Sequence, residues 1–449
     1  MVIRTRRTES EGRLPPGPRF APLQTARYMR DPYGYTRWLR DRYGDVVTMP
    51  AMNGRLVMSM TAEGARAIMD TPTHHFGEFF GADALRPVLG EESLFLLTGR
   101  RHRSERKLLS PAFHGQRMRS LATEMQQVAL DRSAGWTEGL ETTLLDEMQA
   151  ISLEVILRVV LGVESEARRE PLRIAITHAV NEANPVLFFF RALQRDFGGF
   201  GPWARFKRHR DVLRQLLADE IVRARREANE DRADILARLV RAKDDEGNAC
   251  TDESIRDHLI TLLIAGHETT ASALSWTLYE LDRNPDVCKW LLAEIGALGA
   301  EADPKDLAGL PALEATAREG LRLHPIVAEL FRPVLCPTPF LGYVVPAGAI
   351  LAASILEIHQ DASLYPEPER FMPARFLERR FAPNEFAAFG AGHRFCLGSA
   401  FALVEMSVVI GTLLPRYRFR VAPGDPLGVG RRNVTLPPER GAPVVIERR

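Results

Sequence analysis

One long helix most constrains the fold that this chain can adopt. A helical pattern begins after Thr251, a predicted N-cap followed by two acids, and continues without proline to about Arg283. Its middle, "LLIAGHETTASAL" (Leu262–Leu274), is largely apolar. A helix of this length with an apolar middle is expected to cross the core of its domain.

The middle of this helix also carries small and polar residues. Ala265 and Thr269 share a face, with Gly266 beside them, so a broad flat partner could approach the backbone, although close packing against another helix explains the pattern equally well. Glu268 is costly to bury unless it is hydrogen-bonded or functional. Together with a mid-helix hydroxyl group it is typical of proton delivery. His267 points to another side of the helix and is expected to be structural.

The rest of the chain shows mostly helical patterns. "GDVVTM" (Gly44–Met49) and "RLVMSM" (Arg55–Met60) predict a hairpin, and Phe340–Ser354 predicts a strand, a turn and a second strand. We therefore expect a mainly α fold with small peripheral β-sheets. A flexible N-terminal segment, residues 1–14, should precede a single domain, residues 15–449.

Composition narrows the class of protein. Of the 449 residues, 45% are hydrophobic and 26% are charged, and the formal net charge of +1 gives no reason to expect a nucleic acid partner. No apolar run is long enough for a signal peptide or a membrane anchor. Cys250, Cys288 and Cys336 lie far apart without zinc-site spacing and are expected to be small buried or half-buried residues. The sequence thus predicts a soluble cytoplasmic protein.

The fourth cysteine, Cys396, lies in the glycine-rich stretch "FGAGHRFCLG" before a predicted helix. It could be a nucleophile partnered by His393 or a thiolate ligand to a metal. A nucleophilic pair is usually assembled from distant segments, and it would leave Glu268 and Thr269 without a role. A helix N-terminus lowers a thiol pKa, and Arg394 could bind an acidic group of a cofactor. We therefore favour the ligand, and a single thiolate suits haem iron.

A Glu-x-x-Arg pair provides a further signal. Glu319 and Arg322 in "AREGLRLHP" share one helix face, which alone indicates only a salt bridge. Downstream, the irregular segment His359–Phe376 contains Arg370 and Arg375. A buried glutamate bracketed by two arginines could attach this segment to the helix.

Five motifs together resemble the cytochrome P450 family. The stretch "FGAGHRFCLG" fills every fixed place of its haem-binding loop, and "AGHETT" is similar to its oxygen-activation motif. "EGLR" matches its Glu-x-x-Arg pair, and "HRSER" (His102–Arg106) resembles its propionate-binding helix, with His102 where many relatives carry Trp. Its Pro-Glu-Arg-Phe element has two candidates, "PERF" (Pro368–Phe371) and the favoured "PARF" (Pro373–Phe376). The motifs stand in the family's order and cover roughly Pro15 to Arg420.

The resemblance implies a role for each matching residue. Cys396 would be the proximal ligand of haem iron, and Thr269 and Glu268 would deliver protons to dioxygen, with Glu268 where many members carry Asp. The other implied cofactor-binding residues are His102, Arg106, Arg332 and Arg394 at the propionates, Ala265 and Gly266 on the distal face, and Phe389, Gly392 and Gly398 in the loop. Glu319, Arg322 and Arg375 would form a structural triad, with Arg370 as the less favoured third member.

The resemblance also implies an activity. The chain would be a single-domain haem-thiolate monooxygenase, using haem b and O2, with electrons reaching it indirectly from NAD(P)H. A ferredoxin or flavodoxin-type donor would dock on the basic stretch Gly99–Lys107, and a lipophilic substrate would bind beneath a lid formed by Asn184–Phe206. We expect a monomer. The alternatives are a haem-thiolate peroxygenase or isomerase, and a non-catalytic haem-binding sensor.

Overall fold

The described chain divides into two compact units. One unit, unit 1, comprises Met1–Phe80, Val327–Arg370 and Phe381–Cys396, and the other, unit 2, comprises Gly81–Ile326, Phe371–Arg380 and Leu397–Arg449. The computed structural model describes residues 14–51, 54–78, 81–113, 118–182, 194–195, 198–227, 234–243, 246–299, 302–422, 424, 426–432 and 434–449. The segment predicted to be flexible, residues 1–14, therefore lies outside the described residues apart from Leu14, which packs against an apolar cluster of unit 1.

Helices dominate the described chain. In chain order they are α1 (Ala21–Arg30), α2 (Pro32–Tyr43), α3 (Ala62–Asp70), α4 (Ala82–Leu89), α5 (Gly99–Leu109), α6 (Ala122–Ser133), α7 (Leu144–Val155), α8 (Glu166–Glu182), α9 (Pro202–Arg226), α10 (Ile235–Arg241), α11 (Asp252–Arg283), α12 (Pro285–Gly296), α13 (Pro304–Gly309), α14 (Pro311–Leu323), α15 (Ile355–His359), α16 (Arg375–Glu378) and α17 (Ser399–Leu413). A π-helical turn, Ile156–Val160, follows α7 directly. No helix in the part of the chain that the structure describes is long and apolar enough to cross a membrane.

The strands form three small sheets. They are β1 (Val46–Ala51), β2 (Gly54–Ser59), β3 (Leu140–Thr143), β4 (Glu329–Pro333), β5 (Thr338–Phe340), β6 (Tyr343–Val345), β7 (Ile350–Ser354), β8 (Tyr417–Val421) and β9 (Pro443–Arg448). Unit 1 contains a sheet of order β1-β2-β7-β4 and the β5-β6 pair, and unit 2 contains a sheet of order β3-β9-β8. The predicted hairpin is β1-β2, which pairs antiparallel. The strand, turn and strand predicted over Phe340–Ser354 contain β6, which pairs with β5, and β7, which runs parallel to β2.

The larger sheet of unit 1 is buried on both faces. Val57 and Leu351 belong to one apolar cluster, whereas Met58 and Ala352 belong to another. Because successive side chains of a strand point to opposite faces, β7 can be buried along its whole length only if both faces are covered. This sheet carries β4, which places one of the predicted site arginines.

Helix α11 is the central element of unit 2. Thr251 caps it, accepting a hydrogen bond from the Ser254 N–H group at 3.1 Å, and most of the helix from Ser254 to Leu281 is buried. It packs against α7, α14 and α17. The expectation of a long helix crossing the core is therefore correct for this unit.

Candidate functional site

The Cys396 loop of unit 1 is a tight turn closed by its own backbone. The Cys396 N–H group donates to the Phe389 carbonyl oxygen at 2.8 Å. Gly390 and Gly392 have φ values of 76° and 66°, which only glycine adopts without strain. Cys396 is exposed at the end of this turn, and α17 follows with Gly398 as its N-cap.

Aromatic rings surround the loop within unit 1. The Phe389 ring lies 6.4 Å from the Phe395 ring and 6.3 Å from the Phe386 ring, measured between centroids. The His393 ring stacks on Phe76 at 6.2 Å. The His393 side chain therefore packs against an aromatic ring of unit 1.

Two guanidinium groups lie near this loop. Arg332, on β4, donates to the Ala391 carbonyl oxygen at 3.1 Å and pairs with no carboxylate among the described residues. Burial, together with the nearby Arg394 guanidinium, lowers the pKa of Arg332 to about 10. Both residues are half-buried, and two adjacent cations repel each other, so an anionic group bound between them would be stabilised.

Helix α11 exposes one stripe in its buried middle. Leu262, Ala265, Gly266 and Thr269 are exposed or half-buried, as are Thr261 and Ile264, whereas Leu263, His267, Glu268 and Thr270 are buried. These positions recur at the spacing of a single helix face. The Thr269 hydroxyl group donates to the Ala265 carbonyl oxygen at 2.6 Å. From Ala265 to Thr269 the stripe therefore combines two small residues with one hydroxyl group.

Glu268 is held by a segment far away in the sequence. Its Oε1 atom lies 2.9 Å from the Thr435 hydroxyl group, 167 positions later in the chain, and 3.5 Å from Arg432 Nε. The Thr435 hydroxyl also lies 2.7 Å from the Arg432 carbonyl oxygen, and with one proton it can donate to only one of these acceptors at a time. The carboxylate is buried and directed toward residues 432–435, a contact that no motif of the sequence indicated.

His102 and Arg106 lie on α5 in unit 2. His102 is 3% exposed and Arg106 is half-buried, whereas Arg100, Arg103 and Lys107 on the same helix are exposed. The helix therefore presents a buried imidazole on one side and a row of cations to solvent on the other.

The Glu-Arg pair is fully buried in unit 2. Glu319 accepts hydrogen bonds from Arg322 at 2.7 Å and 2.8 Å, from Arg375 Nε at 3.1 Å and from the Met372 N–H group at 2.8 Å. Arg370 instead pairs with Glu367 on the surface of unit 1. The segment that carries Met372 is thus attached to α14 through one carboxylate.

The donor chemistry of these residues fits an iron porphyrin. Within unit 1, the exposed thiol matches the iron of that cofactor and the two cations match its propionates. Unit 2, taken by itself, has a helix face with small residues on α11 and a buried imidazole on α5. A thiolate is an established axial ligand of haem iron. No cluster of three or more His, Cys, Asp or Glu side chains that could hold a bare metal ion occurs among the residues that the structure describes.

Comparisons with known proteins place the chain in a family. The family model described as Cytochrome P450 matches residues 12–442, and therefore spans both units. Cytochrome P450 135B1 of Mycobacterium tuberculosis and that of Mycobacterium bovis are each 34% identical over 450 residues, covering 97% of this chain and 91% of the relative. The solved structure of retinoic acid-bound cyanobacterial CYP120A1 has a TM-score of 0.82 at 24% identity, covering 97% of this chain and 99% of that one.

These matches define the class as haem-thiolate oxidoreductases with a mainly helical fold. The chain belongs to the cytochrome P450 family. The family and the mainly α fold predicted from the motifs are thereby confirmed. As a member of this family, the chain is a haem-dependent monooxygenase that uses O2.

Proposed function

We propose that Cys396 is the proximal haem ligand of an enzyme that inserts one oxygen atom of O2 into a lipophilic small molecule. The observation that carries this proposal is the exposed thiol at the end of a loop closed by its own backbone, within the span of the family match. Bound haem would supply the iron at which O2 is reduced and activated. The second oxygen atom would leave as water.

The arginines and the histidine would position the cofactor. Arg332 and Arg394 would bind a propionate, which would relieve the repulsion between the two guanidinium groups. His102 and Arg106 would bind propionate from α5. Gly392 and Gly398 would allow the loop to approach the cofactor closely, and Phe389 would shield the sulfur atom.

Thr269 and Glu268 would deliver protons to dioxygen. The Thr269 hydroxyl group lies on the exposed stripe of α11, about one turn after Ala265 and Gly266. The Glu268 carboxylate is held back by Thr435 and Arg432. Release from these two contacts would let the carboxyl group carry a proton toward Thr269 Oγ1.

Electrons would come from a separate ferredoxin or flavodoxin-type protein, reduced in turn by NAD(P)H through its reductase. The exposed cations Arg100, Arg103 and Lys107 of α5 support an acidic donor, because opposite charges steer association. We also propose a monomer located in the cytoplasm, on the basis of the sequence expectations alone.

The substrate would be a fatty acid, terpenoid, steroid or polyketide-like molecule, hydroxylated or epoxidised. Of the lid predicted at Asn184–Phe206, residues 184–193 and 196–197 lie outside the described residues, and its last five residues belong to α9. The same fold in CYP120A1 holds retinoic acid, a lipophilic molecule, which supports this substrate class. A screen of lipophilic compounds for a change in haem spin state would identify ligands.

The test of the ligand assignment is optical. Reduced holoenzyme with carbon monoxide should show the strongly red-shifted Soret band of thiolate-ligated haem, and Cys396→Ser should lose it. Cys336→Ser, a matched change at a half-buried cysteine, should keep the band. A Cys396→Ser protein that retains the band would show that another residue is the ligand.

Two alternatives have different signatures. A peroxygenase or isomerase would turn over with peroxide or a pre-oxidised substrate and not with O2 and a donor protein. A haem sensor would bind a ligand tightly and form no product with any donor.

A further inference from the structure

Three helices of unit 2 bring together buried polar atoms that have no partner. Gln149 Nε2 and Ser152 Oγ on α7, His267 Nδ1 on α11 and both carboxyl oxygens of Glu405 on α17 form no hydrogen bond within the described residues. Ser152 and Glu405 are fully buried, and His267 is 8% exposed. Buried polar groups are almost always hydrogen-bonded, so five such atoms on packed helices require an explanation.

Contacts and helix spacing connect the four residues. The Ser152 hydroxyl group faces the Glu405 carboxyl group and is the one group that opposes the effect of burial on it. Gln149 precedes Ser152 by one helical turn and therefore lies on the same side of α7. The His267 ring donates to the backbone carbonyl of Gln149. The array thus runs from α11 across α7 to α17.

The hydrogen-bond donors and acceptors among these atoms determine which small ligand could bind between them. Burial raises the pKa of Glu405 to about 8, so the group is a neutral acid near pH 7, with one O–H donor and acceptor oxygens. An amide nitrogen needs an acceptor, and His267 Nδ1 needs a donor or an acceptor according to the tautomer of the ring. A cation would require an ionised carboxylate and could not satisfy an amide nitrogen. Water donates and accepts, and therefore suits every member of the array.

We propose that α7, α11 and α17 enclose an internal water site, in which ordered water bridges Glu405 and Ser152 and extends to Gln149 and His267. None of these four residues is itself assigned to haem or to proton delivery, although His267 lies between Gly266 and Glu268 in the sequence. The proposal does not depend on the proposed function. It explains why α17 tolerates a carboxyl group in an otherwise apolar stretch.

The first test is a crystal structure of the holoenzyme at a resolution that shows ordered water. Density for water within hydrogen-bonding distance of Ser152 Oγ and a Glu405 oxygen is the expected result. In the infrared, the carbonyl band of a protonated, hydrogen-bonded carboxyl group should disappear in Glu405→Gln. A dry space, a direct bond between Ser152 and Glu405, or a bound cation would each overturn the proposal.

A second test uses stability. Because Glu405 and Ser152 share the bridging water, the urea midpoint shifts of Ser152→Ala and Glu405→Gln should not add in the double variant. Ser275→Ala is the matched control, because the Ser275 hydroxyl group is fully buried and satisfied by the Ala271 carbonyl oxygen at 2.7 Å. Its shift should add to that of Glu405→Gln. Additivity for both pairs would contradict the shared water.

If a Glu405 variant fails to fold, the crystal structure of Ser152→Ala still tests whether the internal water site exists. Loss or displacement of the water next to Glu405 in that variant supports the site, whereas an unchanged, dry array refutes it.

Discussion

At the scale of single residues, Glu319 receives four hydrogen bonds from two arginines and one backbone N–H group while fully buried. Removing its charge leaves the Arg322 guanidinium buried without its counter-ion. Loss of one partner of a buried ion pair costs about 3–5 kcal/mol. We therefore expect Glu319→Gln to lower the thermal midpoint sharply and to reduce the yield of haem-loaded protein.

Glu367→Gln is the matched control for that prediction. Glu367 also pairs with an arginine three residues away, Arg370, but both side chains are more than half exposed. Surface pairs contribute little to stability, so the midpoint should hardly change. Equal effects of the two substitutions would contradict the importance assigned to the buried pair.

The Glu405 carboxyl group predicts a pH dependence of stability. Its pKa is raised by burial to about 8 in the folded chain, and no charged group contributes to the shift. The folded state therefore keeps the proton that the unfolded state loses above its ordinary value near 4.5. The free energy of unfolding should fall as pH rises from about 4.5 to 8, with a slope of up to about 1.4 kcal/mol per pH unit from this group. Urea titrations of the holoenzyme against pH should show a shallower fall in Glu405→Gln, and an unchanged slope would contradict the shift.

The Thr269 hydroxyl group should affect how tightly NAD(P)H consumption is coupled to product formation. Thr269→Ala should still bind haem and substrate, yet it should divert reducing equivalents from product to peroxide, because the hydroxyl group on the exposed stripe is lost. Product and peroxide formed per NAD(P)H consumed are the measurement. Thr277→Ala is the control, since the buried Thr277 hydroxyl also bonds one turn back, to Ala273 at 2.7 Å. Equal uncoupling in both variants would show that the loss of any hydroxyl-to-carbonyl bond within α11 causes the effect, and that Thr269 has no specific role in proton delivery.

At the scale of elements, the sequence predicted contacts within a helix better than contacts between segments. The Glu319–Arg322 pair is readable from its spacing alone. The Met372 N–H donor carries no side-chain signature, and the contact of Thr435 with Glu268 joins positions that no motif relates. Such contacts depend on how distant segments pack, which a periodic pattern does not encode.

Helices α11 and α14 approach closely at Gly320. A Cβ atom at this position would lie 2.2 Å from Thr277 Oγ1 on α11. Gly320→Ala should therefore destabilise the chain by about 1–3 kcal/mol, the usual cost of overpacking a core. The double variant Gly320→Ala/Thr277→Ala should recover part of this loss, measured as the urea midpoint.

Gly296→Ala serves as the control for this helix contact. Gly296 ends α12, and an added Cβ atom would meet nothing within 4 Å. Alanine favours the helical backbone, so stability should be unchanged or slightly increased. A Gly320→Ala protein as stable as Gly296→Ala would show that the two helices can separate without cost.

At the scale of the whole molecule, the sequence predicted the fold class and the family but not the connections of the sheets. The parallel pairing of β2 with β7 joins strands almost 300 residues apart. The apolar run of β7 indicates burial on both faces, but it does not show which strands pair with β7. The division into two compact units has no composition change or linker that marks it in the sequence.

Charge distribution over the molecule gives the last prediction. Net charge is close to zero, so any attraction for an acidic donor must come from local cations such as Arg103 and Lys107 on α5. Arg103→Glu/Lys107→Glu should slow reduction by a ferredoxin or flavodoxin about tenfold or more at low salt, and the difference should shrink as salt screens the charges. Lys289→Glu/Lys305→Glu changes the net charge equally at exposed lysines of α12 and α13, and should have little effect. Stopped-flow reduction distinguishes the two cases: equal slowing by both pairs would mean that overall charge governs association and that α5 is not the docking surface.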